Sequence, residues 1–431
     1  MKIALVHYRA GLMDGVSLEM EKWKKVLEDM GHEVKVVAGN DGKGVDIKLD
    51  SLSFDHPMYE KIKKNFFTKL EDFSEEGLKE AILSLKEEFY KELKPVMELF
   101  DVVSVNNIWS LALSPSLGLA LEQVASELDN RYIGHHHDFW WERSALVNPT
   151  TSWGKEILEE HFPPDLPNIK HVVINSFAKE ALLKSRGIDS TVIPNVFDFS
   201  YVRSSEKMKK ILRDYYHIPE GTIVALQATR IARRKAIELS IKLVARMKEL
   251  GEEFIGKQLY DGRKYDGNII LAFSGMCERD EKDYENQIMG FAFDVGVMVL
   301  NLYKDVEKNK FSFWNMYSIA DFITYPSILE GWGNQLLEAL AAAKPIALFE
   351  YPVFEKDIKT SGLRYASLGS SYKTENNFVV VDDSVIDSAA KEMLEILFDR
   401  KKYQSIIREN FEIGKRNFGY EKLKELLSEL L

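Results

Sequence analysis

The sequence predicts an α/β protein made of two doubly wound parallel-sheet domains, and three observations predict it. The chain has 431 residues, against roughly 100–200 for a typical domain, so two domains are expected. Short apolar bursts of strand length alternate with stretches of helical spacing, in two successive runs. Between the runs, residues 194–207 open on the turn signal Pro194-Asn195 and continue polar, which marks a boundary. The expected domains are 1–198 and 199–419, with a helix at 420–431 joining the first.

In order, residues 2–7 read as a buried strand, a loop with Gly11 and Gly15 follows, and 18–30 carries apolar positions at helical spacing. Gly31 ends that helix and 33–38 resumes strand character, giving the strand–loop–helix–strand unit from which parallel sheets are built. Residues 55–94 change to Lys, Glu, Leu and Phe at helical spacing with interleaved charge, an inserted helical pair. A membrane-lying helix is the rival reading for Lys61, Lys63 and Lys64 beside Phe66 and Phe67, and the many acids nearby favour a solvated face. Strand-like bursts recur at 102–105, 132–134, 171–174 and 190–193, then in the second run near 223–227, 269–273, 297–302, 322–325, 345–349 and 378–381. The last stretch, 420–431, is an amphipathic helix with no strand after it.

Composition narrows the function. Apolar residues make up 45% and charged residues 29%, which excludes a largely disordered chain. Lys plus Arg against Asp plus Glu gives 57 − 68 = −11, which opposes a nucleic-acid partner. The single Cys277 permits neither an internal disulfide nor a Cys-based metal site, and a cytoplasmic location fits best. The opening apolar burst is too short for a signal-peptide core, and no window approaches the roughly 18 apolar residues of a membrane span. Association into a homo-oligomer is compatible with this composition.

The sharpest motif is Tyr325-Pro326-Ser327-Ile328-Leu329-Glu330-Gly331-Trp332-Gly333-Asn334-Gln335-Leu336-Leu337-Glu338, lying between a strand and a helix. Gly331 and Gly333 let backbone N–H groups approach a ligand, and the helix that follows directs its positive end at an anion or polar sugar. Glu330 sits in the loop, and Glu338 lies on the helix about one turn in, where a carboxylate can accept from both hydroxyls of a ribose. A surface loop with a salt-bridged helix is the equal alternative. The second motif is Gln227-Ala228-Thr229-Arg230-Ile231-Ala232-Arg233-Arg234-Lys235, four cations at one strand-to-helix turn. Cations there oppose the helix dipole unless an anion is near, and an Arg with a Lys suits a diphosphate. A solvated basic helix start is the less favoured reading.

With His171-Val172-Val173-Ile174-Asn175-Ser176 and Val192-Ile193-Pro194-Asn195-Val196-Phe197-Asp198, these motifs resemble the retaining nucleotide-sugar glycosyltransferases of family 4. The resemblance covers about 171–350 well and 1–38 more loosely. It implies the GT-B architecture, two Rossmann-like domains facing across a cleft that holds the active site. It also implies that Arg230 and Lys235 hold the donor diphosphate, Glu338 the ribose, and Glu330 with the backbone of Gly331, Trp332, Gly333 and Asn334 the transferred sugar. The last helix in such proteins crosses back to the first domain. Departures from the family pattern are Ala236 and Val196 where Gly is usual, and Trp332 where Phe is commoner; none removes a chemical group. Trp332 would narrow the sugar pocket, and the lost glycines would alter local backbone angles.

A third motif, Gly134-His135-His136-His137-Asp138-Phe139-Trp140-Trp141-Glu142-Arg143, follows a first-domain strand. In an extended segment only His135 and His137 can converge, and no carboxylate pair completes a zinc site, so no metal is expected. The resemblance places a His near the reacting sugar, and His137 with Asp138 best matches it. Trp140, Trp141 and Arg143 suit an acceptor, since flat rings stack on sugars and a guanidinium grips an anion. Aromatic core with a surface His is the alternative. Gly15, in the loop 10–17, resembles the family's glycine loop near the donor phosphates, with a hinge or tight turn as the equal alternative. Asn106 and Asn107 are further cleft candidates.

Together these readings give a metal-independent retaining transfer of a hexose, glucose or mannose, from a UDP-, GDP- or ADP-linked sugar to a small polar or sugar acceptor. No cofactor is required. No Asp-x-Asp motif is found, which assigns the leaving diphosphate to Arg230 and Lys235. No convincing nucleophile stands out, and the resemblance implies same-face attack. A sugar phosphorylase or epimerase on the same scaffold, or a non-catalytic sugar-nucleotide-binding protein, are the alternatives.

Overall fold

Strand β1 (Lys2–His7) turns Ile3 and Leu5 to one side of its sheet and Ala4 and Val6 to the other, and all four are buried. A strand covered on both faces belongs in a parallel sheet flanked by helices. The computed structural model describes residues 1–12, 14–143 and 147–431. It divides into two compact units, Met1–Val196 with Tyr420–Leu431, and Phe197–Gly419.

The first unit adds β2 (Glu33–Ala38), β3 (Ile47–Lys48), β4 (Val102–Asn106), β5 (Arg131–His136), β6 (Ile169–Val173) and β7 (Thr191–Val192). Among the described residues the sheet runs β3-β2-β1-β4-β5-β6-β7, all parallel. The winding direction reverses between β1 and β4, so their carboxyl ends flank a topological switch point, where ligands of open α/β sheets bind. One face packs against Leu78, Ile82, Phe89 and Leu93 of the helix Glu75–Met97. The other packs against Met20, Trp23 and Leu27 of the helix Gly15–Asp29, with Leu423, Leu427 and Leu430 of the helix Tyr420–Leu430.

The inserted segment is a helical pair, Tyr59–Phe67 and Glu75–Met97, the second capped by Ser74, whose hydroxyl accepts from the Gly77 N–H at 3.0 Å. Phe66 and Phe67 meet edge to face at 4.7 Å inside the core, which removes the membrane-lying reading of this helix. Among the described residues no helix is long and apolar enough to cross a membrane.

The second unit contains β8 (Ile223–Gln227), β9 (Ile269–Phe273), β10 (Met298–Asn301), β11 (Phe322–Tyr325), β12 (Ile346–Leu348) and β13 (Ala366–Ser367), in the order β10-β9-β8-β11-β12-β13 and all parallel. Residues 378–381, expected to continue this run, do not join it. Strand β14 (Lys373–Glu375) pairs antiparallel with β15 (Phe378–Val380), and the sixth place in the sheet goes to β13. The cause is the two-residue turn Asn376-Asn377, with φ of 50° and 66°, a left-handed pair that closes a tight hairpin.

Candidate active site

In the second unit, the turn after β8 is fixed from below by Gln227, whose side-chain oxygen accepts from Ser240 and Thr324, each at 2.8 Å. The chain then makes a short 3₁₀ turn over Arg233–Lys235 and enters the helix Ile237–Gly251 through Ala236, with φ +43°. Ala236 therefore holds a left-handed backbone where glycine is the easy residue. That turn aims Lys235 inward, and its ammonium donates to the Glu330 carboxylate. Arg234 instead forms a two-pronged pair with Glu278, at 2.7 and 2.9 Å. Arg230, its side chain 68% exposed, lies 3.8 Å from the same Glu278. Arg233 lies 3.7 Å from Glu281.

The loop after β11 meets this turn through the Ile328 N–H, which donates to the Arg234 carbonyl at 3.0 Å. Gly333 caps the helix Asn334–Ala341 with φ +113°, and a Cβ there would lie 2.1 Å from the Tyr351 hydroxyl. That hydroxyl donates to the Trp332 carbonyl at 2.7 Å. Trp332 itself is 4% exposed and packs edge to face on Phe418 at 5.9 Å, so its ring is committed to the interior of the unit. Glu338 accepts from the Tyr317 hydroxyl at 2.7 Å. Burial, first, and the neighbouring Glu330 and Glu338 charges push the Tyr325 phenol well above its usual range, which keeps it neutral beside both acids. Lys235, Glu330 and the helix start at Asn334 are thus gathered by two loops, while Arg230 is drawn to Glu278.

In the first unit, alternation along β5 sends its histidines to opposite faces. His136 meets His171 at 2.9 Å, while His135 stacks on Trp23 at 4.3 Å and meets His137 tilted at 4.2 Å. Asn107, left-handed at φ 55°, accepts from the His137 N–H at 2.7 Å. Burial pushes the His137 imidazole well below its usual range, so it is neutral at pH 7. Among the described residues no group of three or more His, Cys, Asp or Glu could hold a metal ion. Asp138 and Arg143 pair at 2.8 Å on the surface. The Trp140 N–H donates to the Phe162 carbonyl at 2.9 Å, tying that ring to the core, and Trp141 stacks flat on Phe139 at 4.4 Å.

Gly15 is the first residue of its helix, after the Asp14 cap, and a Cβ there meets nothing within 4 Å. The tight-turn alternative for Gly15 is therefore overturned. The turn falls on Gly11, with φ +73° and a would-be Cβ 2.2 Å from the Lys43 carbonyl oxygen. Met13, in the same loop, lies outside the described residues. Glu278, Tyr317 and Tyr351 were not among the expected site residues. Glu278 and Tyr351 follow the carboxyl ends of β9 and β12, a position too general to single either out in the sequence.

Residues 208–412 match the family of group 1 glycosyl transferases. The chain is 51% identical over 429 residues to a mannosylglucosylglycerate synthase of Thermotoga maritima, covering 99% of each chain. It is 42% identical over 427 residues to a mannosylglucosylglycerate synthase of Petrotoga mobilis, covering 97% of this chain and 98% of that one. The chain belongs to the glycosyltransferase family of these synthases. As a hexosyltransferase it has the GT-B fold. A glycosyltransferase from Rickettsia africae superposes with a TM-score of 0.64 at 14% identity, covering 100% of this glycosyltransferase and 97% of that chain. Anabaena HepE in complex with UDP and glucose superposes with a TM-score of 0.61 at 14% identity, covering 100% and 99%.

Proposed function

We propose that this glycosyltransferase moves a mannosyl group from a nucleoside diphosphate mannose to glucosylglycerate, in the cytoplasm, with retention at the anomeric carbon and without a metal ion. The observation that carries the reading is the Lys235–Glu330 pair, which joins the cationic turn to the glycine loop. The names of the two synthases support this product, and the residue types at the site support this mechanism.

In that mechanism Arg230 and Lys235 hold the donor diphosphate and Glu338 accepts from the ribose hydroxyls. Glu330 and the N–H groups of residues 331–334 bind the transferred sugar. The bond from the anomeric carbon to the diphosphate oxygen breaks, and the acceptor hydroxyl oxygen bonds to that carbon from the same face. The hydroxyl proton passes to the departing phosphate oxygen. Negative charge grows on the leaving group, so the Arg230 and Lys235 cations stabilise the transition state more than the bound donor. His137, kept neutral by burial, hydrogen-bonds the sugar without adding charge. Arg143 takes the glycerate carboxylate in exchange for its Asp138 partner.

The test is a reaction panel of UDP-, GDP- and ADP-linked mannose and glucose with glucosylglycerate, with and without a chelator, read by proton NMR of the new anomeric centre. One mannosyl donor giving a product of unchanged anomeric configuration, with chelator present, is expected. Product from a glucosyl donor alone, an inverted centre, or loss of turnover with chelator overturns the corresponding part of the reading.

A further inference from the structure

Four cations occupy the turn after β8, and three carboxylates answer them: Glu330 for Lys235, Glu281 for Arg233, and Glu278 for both Arg234 and Arg230. The balance is 4 − 3 = +1, and Glu278 is the shared member. Its Oε1 lies 2.7 Å from Arg234 and 3.8 Å from Arg230, so Arg234 is held tightly and Arg230 loosely. Glu278 is itself rigidly placed. Its N–H donates to the Ile231 carbonyl at 3.1 Å, and the Ile231 N–H donates to the Met276 carbonyl at 2.9 Å, stitching the loop after β9 to the cationic turn.

A site with four unopposed cations would bind a nucleoside diphosphate tightly and release it slowly, because the freed diphosphate carries more charge than the sugar-linked one. We propose that Glu278 is a positioning residue that tempers the affinity of this turn for a nucleoside diphosphate, by occupying Arg234 and competing for Arg230. This rests on the donor reading above. Neutralising Glu278 raises the local balance to +2 and leaves two guanidinium groups for the diphosphate. Removing Arg234 has the opposite consequence, since Glu278 then engages Arg230 fully.

The experiment is calorimetric titration of UDP, GDP and ADP into the full chain and into the variants Glu278→Gln, Arg234→Gln and the double variant, together with kcat for each. For the nucleotide that the parent protein binds, E278Q is expected to bind at least threefold more tightly, with a lower kcat and a lower product-inhibition constant. R234Q is expected to bind at least threefold more weakly, and adding E278Q to R234Q to tighten binding at least threefold. A purely structural brace weakens binding in every variant, so E278Q or the double variant binding no more tightly than its parent overturns the proposal. Should E278Q alone fail to fold, the comparison of R234Q with the double variant decides, because neither leaves Arg234 stripped of its carboxylate partner. If the parent protein binds none of the three nucleotides, the donor reading fails and takes this proposal with it. If it binds one and the charge change has no tightening effect, this proposal alone fails.

Discussion

The Lys235 ammonium and the Glu330 carboxylate are bonded to each other although 95 positions separate them in sequence. The cation proposed to grip the diphosphate and the acid proposed to hold the sugar thus fix one another's orientation before either meets a ligand. Truncating one leaves the other misplaced and partly buried without its partner.

Lys235→Ala and Glu330→Gln are therefore each expected to lower kcat/KM at least tenfold, with folding intact by circular dichroism. The double variant should be little worse than the poorer single variant, because the two side chains act as a unit. Additive losses in the double variant would show that the pair is incidental.

The Gly333 backbone makes a second demand. With φ at +113° and the Tyr351 hydroxyl 2.1 Å from a would-be Cβ, Gly333→Ala must shift the chain or lose the Tyr351 bond to the Trp332 carbonyl. A cost of roughly 2–4 kcal/mol is expected, seen as a fall in Tm of about 5–10 °C. Tyr351→Phe in the same background should return part of it, since the clash is worst at the hydroxyl. A G333A variant with unchanged Tm would refute the close approach.

These two sites show what the sequence discloses and what it withholds. Strands β1, β8 and β9 are legible because both faces are apolar, and β4 because three of its five residues are valine. Strands of two residues such as β3 and β13 are too short to leave a pattern, whereas β7 shows within the apolar burst 190–193. Lys235 and Glu330 stand out singly for their chemistry, yet their pairing depends on how two distant loops fold. Glu278 lies in the polar run Cys277-Glu278-Arg279-Asp280, where nothing separates it from its neighbours. A loop with two glycines does not reveal which of them needs a positive φ. The approach of the Lys43 carbonyl decides for Gly11, and that contact is long-range.

The buried histidines of the first unit set a pH dependence. Burial pushes His7 and His171 down to about 4 from the usual 6.5. The unfolded chain takes up these protons near pH 6.5 and the folded chain only near 4, so stability is lost as pH falls through that window. Each costs about 3 kcal/mol in total once pH has fallen through the whole window. Tm should fall measurably between pH 6.5 and 5, above the range where most carboxylates titrate, and His171→Gln should flatten the curve there. A variant with an unaltered slope would remove His171 from this account.

Adjacent tryptophans carry different predictions. Trp140 donates to the Phe162 carbonyl and packs on the main core of the unit, and Trp141 stacks on Phe139 against a second, smaller buried cluster. Trp140→Phe deletes that bond and leaves the buried carbonyl unanswered, so a loss of about 1–2 kcal/mol is expected, with substrate constants unchanged in the molecules that remain folded. Trp141→Ala removes the flat ring stacked on Phe139, and the acceptor KM should rise severalfold while the donor KM stays put. Arg143→Met should act on the same constant, and more strongly for an acceptor bearing a carboxylate than for its methyl ester. Initial rates with each substrate varied in turn separate these outcomes. A donor effect from Trp141 or Arg143 would move that segment away from the acceptor and toward the nucleotide sugar.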